Sequence, residues 1–236
     1  MIPTAERLDE LFRTGTLKRL GIGVRRACYE LPGTGLCVKC YRSEDEIALG
    51  KHVGYEPFKP LKGAVVREIR RNRFSDVGNT SCQEWRYYQS LKRRLPPELM
   101  AVFPRTLERV LVPSRGWCLV EERVTNADGT SVRVLHQAWL AAPKAMRSQL
   151  LSRLEMLTSG LIRHAVRFYD PHNILVQTGE DGDVRLRITD FEPASRTLVS
   201  LDRLAPALVR LKLRRRFSRY RNLFGMTRVC EGDAHE

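Results

Sequence analysis

Residues 17–42 read LKRLGIGVRRACYELPGTGLCVKCYR, and the fold turns on how this stretch is parsed. Residues 17–30 and 36–42 carry the apolar, aromatic and β-branched side chains of two strands, and PGTG between them is a hairpin turn by composition. Gly21-Ile22-Gly23 falls in a strand–turn–strand setting, which excludes the strand-to-helix turn of a dinucleotide site. A glycine-rich flap over phosphates and a plain hairpin turn both remain. Lys39 follows sixteen residues after Gly23, inside CVKC on the next strand. An ammonium buried among apolar neighbours is costly unless paired, so Lys39 calls for an anion.

The next helix supplies a candidate. From about residue 81, QEWRYYQSLKRRL places Trp85, Tyr88, Leu91 and Leu95 at helical spacing, with Glu84 on the same element. Tyr87 and Tyr88 read as packed helix residues. Upstream, residues 4–14 form a short helix; between the lysine strand and the Glu84 helix, residues 43–79 are polar and interrupted, with a short helix in VVREIRRNRF. Downstream, VFPRTLERVLV and GWCLVEERV are strands, and Glu121 and Glu122 end the second of them, where backbone groups could meet an adenine ring. NADGTS is a polar turn that divides the chain into two lobes.

Past that turn, residues 132–165 are helical, with Leu150, Leu151, Leu154, Leu157, Leu161 and Ile162 as the apolar stripe. NILVQ and VRLRITDF form a hairpin around TGEDGD, and ALVRLKLRRRFSRYRNLF is a basic helix with Leu213, Phe217, Tyr220 and Phe224 on one face. The plan is α+β, with a helical extension over 1–16, a first lobe over 17–124, a second over 125–225 and a tail over 226–236. Asn173 opens one strand of the hairpin and Asp190 closes the other. An amide and a carboxylate on adjacent strand ends can chelate Mg²⁺, with nucleotide phosphates completing an oxygen shell.

The formal net charge is +14, which favours a polyanionic partner: nucleic acid, an anionic membrane surface or a phosphorylated substrate. The run Arg210, Lys212, Arg214, Arg215, Arg216, Arg219 and Arg221 concentrates that charge, with nucleic acid the weaker candidate because no recognised reading motif accompanies it. Hydrophobic residues make up 42%, enough for a core, and no apolar run reaches the ~18 residues of a membrane span. The expected location is cytoplasmic. Of six cysteines only Cys37 and Cys40 have CxxC spacing, and on a strand they point to opposite faces, so they read as structural thiols.

Taken in order, the glycine pair, strand lysine, helix glutamate, amide and aspartate resemble a protein kinase, whose Lys–Glu pair holds the nucleotide phosphates and whose Asn and Asp hold Mg²⁺. Over residues 17–224 the chain is similar to the YrbL family, kinase-like proteins described as part of the PhoP regulatory network. The resemblance is carried by LGIGVRRACYE, CVKCYR, REIRR, EWRYYQSLKRRL, FPR, GWCLVEERVTNADGTSV, PHNIL and RLKLRRRFSRY. It implies a bacterial protein with a reduced, two-lobed protein-kinase-like fold that uses ATP and Mg²⁺.

The pattern breaks at two points. In a kinase the catalytic base stands five residues before the metal-binding Asn, and that position here is Phe168, with Val166 and Arg167 in the preceding slots. Asp170 lies three residues before Asn173, as a candidate displaced base or extra metal ligand, with His172 beside it. After Asp190-Phe191 the chain continues Glu192-Pro193 in place of glycine. The expectation is therefore a Mg-ATP-binding protein with weak, atypical or absent phosphotransferase activity. The alternative is a non-enzymatic basic binding module. With 46 residues after Asp190, the substrate platform is small, which disfavours peptides and suits a phosphorylated or glycan substrate.

Overall fold

Residues 17–42 form three strands where the sequence suggested two. β1 (Arg19–Ile22), β2 (Arg26–Leu31) and β3 (Leu36–Tyr41) are antiparallel, and the first break falls where Gly23 N–H donates to the Arg26 carbonyl at 2.7 Å. The computed structural model describes residues 2–53, 56–168, 170–191 and 206–226. The chain is a mixed α+β protein that divides into two compact units, Met1–Gln89 with Arg105–Arg123, and Ser90–Pro104 with Val124–Glu236.

The first unit is built on a five-stranded antiparallel sheet. Its order is β1-β2-β3-β7-β6, with β6 at Thr106–Val112 and β7 at Gly116–Glu122. One face is apolar. Ala27, Tyr29, Leu31, Val38, Cys40, Cys118 and Val120 cluster there with Leu8 of α1 (Ala5–Arg13), the helix expected over 4–14. Thr4 Oγ1 caps α1 by accepting the Arg7 N–H at 3.3 Å, and the Asp9 carboxylate accepts the Ser114 N–H at 2.8 Å, tying the helix to the β6–β7 turn.

Residues 43–79 are more ordered than their polarity suggested. They hold α2 (Glu44–Ala48), closed by a capping box between Ser43 and Glu46, the two-stranded pair β4 (Lys51–Val53) and β5 (Glu56–Lys59), and α3 (Gly63–Asn72). α4 (Thr80–Arg94) follows, its first turn satisfied by Asn79 Oδ1, which accepts the Ser81 N–H at 2.8 Å.

In the second unit the helical stretch is divided. After α5 (Pro97–Met100), the short strand β8 (Arg133–Val134) leads into α6 (Leu135–Ala141) and then α7 (Lys144–Arg163). The break is at Ala142, which is extended at φ −78° and ψ 141° because a residue before proline avoids the helical region. β9 (Ile174–Thr178) and β10 (Val184–Ile188) make the expected hairpin and join β8 in a three-stranded antiparallel sheet.

α8 (Pro206–Leu223) buries Val209, Leu213, Phe217 and Tyr220 and packs on α7. Arg210 crosses to the end of α7, where its guanidinium donates to the Ile162 and Arg163 carbonyls at 3.3 and 3.4 Å, groups that have no partner within the helix. Among the described residues no helix is long and apolar enough to cross a membrane.

Gly116 sits at φ +75° between β6 and β7, and a Cβ there would fall inside van der Waals contact of the Arg73 carbonyl oxygen, the same oxygen that accepts the Trp117 N–H at 3.0 Å. Left-handed strain and a backbone clash then act together, so Gly116→Ala is expected to cost about 3 kcal/mol or more. Urea unfolding of the variant beside the wild type measures it.

Candidate functional site

The second face of the five-stranded sheet is polar, and its membership follows from register. Cys28 lies opposite Lys39 across β2–β3, while Lys39 lies opposite Leu119 and Cys37 opposite Glu121 across β3–β7. Opposed residues share a face and alternate ones follow, so Arg26, Cys28, Cys37, Lys39, Leu119 and Glu121 stand together. Cys40 is on the apolar face, and the two CxxC thiols are thereby separated by the sheet.

Glu84 of α4 meets this face and is fully buried. Its carboxylate lies 2.6 Å from Arg26 Nη1 and 3.5 Å from Lys39 Nζ. Glu121 is the nearer partner of the lysine, at 2.8 Å. Lys39 is thus buried between two carboxylates.

Protonation in this cluster follows from the competition between burial and neighbouring charge. Burial alone would strip the proton from Lys39, but Glu121 and Glu84 outweigh it and hold the ammonium above its usual value. Burial likewise works against an ionised Glu84, and the two cations Arg26 and Lys39 overcome it, keeping that carboxyl below its usual range. Glu121 goes the other way: burial, only partly offset by Lys39 and reinforced by the Glu84 charge, raises its carboxyl. The Cys28 thiol is lowered, chiefly by the neighbouring Cys37 thiol, while Cys37, whose Sγ donates to Glu121 Oε1 at 3.8 Å, is raised by Cys28 and by burial.

The glycines lie at the sheet edge. Gly21 is in β1 and Gly23 in the following turn; neither has a left-handed backbone, and a Cβ at Gly21 would meet nothing within 4 Å. The protein itself therefore imposes no need for glycine at 21. Glu122 closes β7, where its carboxylate accepts the Arg105 N–H at 3.0 Å and its own N–H donates to the Arg105 carbonyl at 2.9 Å. The Arg123 N–H is given to the Gly35 carbonyl, also at 2.9 Å. Both amides are thus spent within the protein.

In the second unit Asp170, Asn173 and Asp190 come together at one end of the β9–β10 hairpin. Asp170 is exposed and caps the 3-10 turn Pro171–Asn173, its carboxylate accepting the His172 N–H at 3.2 Å. Asn173 donates from its side-chain nitrogen to the Asp190 carbonyl at 3.4 Å, so the amide oxygen, the atom a hard cation takes, is not the one used. Asp190 is exposed and adopts φ +52°, a left-handed conformation that aspartate tolerates better than most residues. Its neighbour Phe191 is buried edge-on to Phe103, with ring centroids 5.1 Å apart. Glu192 and Pro193 lie outside the described residues.

Phe168 is buried beneath α8, 6.4 Å from the Phe217 ring. The His172 ring is edge-on to Tyr220 at 5.1 Å and 5.7 Å from His136, whose imidazole is held below its usual value by burial and by His172. His172 thus serves Asp170 through its backbone, while its ring packs on α6 and α8. Sequence reasoning passed over Arg26 and assigned Glu121 only to the strand end. Both follow once the hairpin closes at Leu31–Leu36, since the period of two then carries them onto the lysine face.

No protein-family model matches the chain, and no curated protein matches it.

Glu84→Gln takes a buried negative charge from two buried cations, Arg26 and Lys39, and is expected to cost about 3 kcal/mol at neutral pH. Glu84 has a lowered carboxyl, so its contribution is complete above the unfolded value of 4.5 and fades as pH falls through the folded one. The gap between wild type and Glu84→Gln should accordingly narrow in acid. Glu121 has a raised carboxyl, whose stabilising contribution belongs below 4.5 and is lost as pH rises. Glu121→Gln should therefore cost less than Glu84→Gln at neutral pH. Urea titrations across pH separate the two.

Proposed function

We propose that this chain is a divergent protein-kinase-like protein, akin to the YrbL family, that binds Mg-ATP and has weak, atypical or absent phosphotransferase activity. The observation that supports the reading is the burial of Lys39 on the central strand β3 against Glu84 of α4. A strand lysine oriented by a helix glutamate is how a kinase presents an ammonium to the α- and β-phosphates. Among the described residues nothing lies within 4 Å of where a side chain at Gly21 would begin, which leaves that space open.

The second unit's oxygens suit the metal of such a nucleotide. Mg²⁺ keeps few protein ligands, mostly carboxylate or amide oxygen, and takes the rest from phosphate and water. Asp190 and the free oxygen of Asn173 answer that description, and among the described residues no group of three or more His, Cys, Asp or Glu could hold a metal instead. When bound, the ion would neutralise charge on the phosphates.

Weak transfer follows from the base position. Phe168 is part of the core, and the Asp170 carboxylate already accepts a backbone N–H to close its turn. An aspartate so used can still accept a second hydrogen bond, which leaves it the candidate displaced base.

Mg-ATP in large excess over its Kd should stabilise the wild type by about 2–3 kcal/mol, a rise of several degrees in Tm. Lys39→Met and Asp190→Asn should show little of that rise relative to their own unliganded melting points. Asparagine tolerates the left-handed backbone at 190, so its loss of response reports the charge. Absence of any nucleotide-induced shift in the wild type would falsify the proposal. For transfer, Asp170→Asn keeps a capping oxygen and removes the charge; it should leave nucleotide binding intact and lower any γ-phosphate turnover at least ten-fold, as read by inorganic phosphate release.

A further inference from the structure

The outward stripe of α8 is a mixture that the fold does not require. Its inward residues Val209, Leu213, Phe217 and Tyr220 are buried, and on the opposite side Leu208, Leu211, Arg215 and Arg219 recur at spacings of three, four and four. Leu208 and Leu211 are 41% and 44% exposed. Arg214 and Arg216 flank the stripe and are exposed as well. The helix contains no acidic residue.

Its arginines divide by use. Arg210 is committed to the end of α7, and Arg221 is tied to Glu155 at 3.5 Å and to the Met226 carbonyl at 3.2 Å. Arg214, Arg215, Arg216 and Arg219 are exposed, and Arg215 and Arg219 lie opposite the packed face. Four cations crowded on about two turns repel one another, and a folded chain gains nothing from them internally.

We infer that the outer face of α8 docks on an anionic lipid surface. The arginines meet lipid phosphates while Leu208 and Leu211 enter the boundary between headgroups and acyl chains. The leucines choose this partner over nucleic acid: a phosphate backbone is met by cations and hydrogen-bond donors, and leucines within the contact would add little. At a bilayer surface, basic and apolar side chains on one stripe both find their preferred medium. The principal apolar face of α8 stays packed within its own unit, so the attachment is peripheral and reversible.

The test is co-sedimentation of the full chain with vesicles containing phosphatidylglycerol, beside pure phosphatidylcholine vesicles and a duplex-RNA titration. Binding is expected to the anionic vesicles alone and to weaken with salt. Each neutralised arginine should lower partitioning about five-fold, so Arg215→Gln/Arg219→Gln should lower it about 25-fold. Lys92→Gln/Arg93→Gln, which removes the same charge from exposed positions elsewhere, should change it little. Leu211→Ser should weaken vesicle binding several-fold and leave any RNA binding unchanged. All three variants alter exposed residues, and circular dichroism verifies their fold. The inference is overturned if the wild type does not bind anionic vesicles, if the two double variants lose binding equally, or if Leu211→Ser binds vesicles as wild type does. RNA binding lost with Arg215→Gln/Arg219→Gln, without vesicle binding, would assign the face to nucleic acid.

Discussion

A lysine ammonium placed in the middle of a β-sheet is the constraint around which the first unit is arranged. Lys39 cannot be left unpaired in that setting, and it is served from two directions: Glu121 from the neighbouring strand β7 and Glu84 from α4. Each partner brings a further obligation. Glu84, fully buried, needs more than one cation, and Arg26 supplies the second. Glu121 is raised by its burial and by the like charge of Glu84, which Lys39 only partly offsets. A four-member cluster of this kind tolerates the loss of no single member well. It also fixes register, because a one-residue slip of β3 would send Lys39 into the apolar face among Val38, Cys40 and Tyr29.

Much of this could be read from residues alone, and the failures have physical causes. The hairpin of β2 and β3, the helix with Glu84, the β6–β7 pair and the β9–β10 hairpin follow from period and turn composition. The demand of Lys39 for an anion follows from the cost of desolvating it. What stayed hidden depends on register. Arg26 and Glu121 look like ordinary strand-end charges until pairing places them diagonally from Lys39 across two different ladders. The split of 17–30 was missed because Gly23 breaks the strand with a single 2.7 Å turn hydrogen bond and no change in composition. Apart from the short helix expected in VVREIRRNRF, which is α3, residues 43–79 looked irregular because α2 is closed by the Ser43–Glu46 capping box and tied to α3 by ion pairs such as Arg70–Glu44, at 2.7 Å.

The hairpin end in the second unit shows one group of residues under two demands. Asp170 holds a tight turn through the His172 N–H, Asn173 steadies the Asp190 carbonyl, and Asp190 accepts a left-handed backbone. All three could be explained by turn-making alone. Turn-making, however, does not explain why the carboxylates of Asp170 and Asp190 are both exposed at the same end.

Charge has to be sorted by use before it says anything about partners. A net +14 invites a picture of a uniformly basic surface, yet many arginines serve the interior. Arg42 is fully buried and donates to the Glu46 and Gly50 carbonyls. Arg109 is held between the rings of Trp85 and Trp117, at 5.0 and 4.9 Å. Arg115 reaches Glu46 at 2.8 Å while lying over Phe12. These guanidiniums act as planar, multidentate packing groups, a role lysine cannot fill. Setting these aside leaves the exposed cations, and on the outer face of α8 several exposed arginines coincide with exposed leucines on one helix. An interior arginine gives up hydration for fixed partners within the fold; those on the outer face of α8 keep their hydration and so remain able to exchange it for an external anion. The two populations are indistinguishable in composition and separate only when burial and pairing are known.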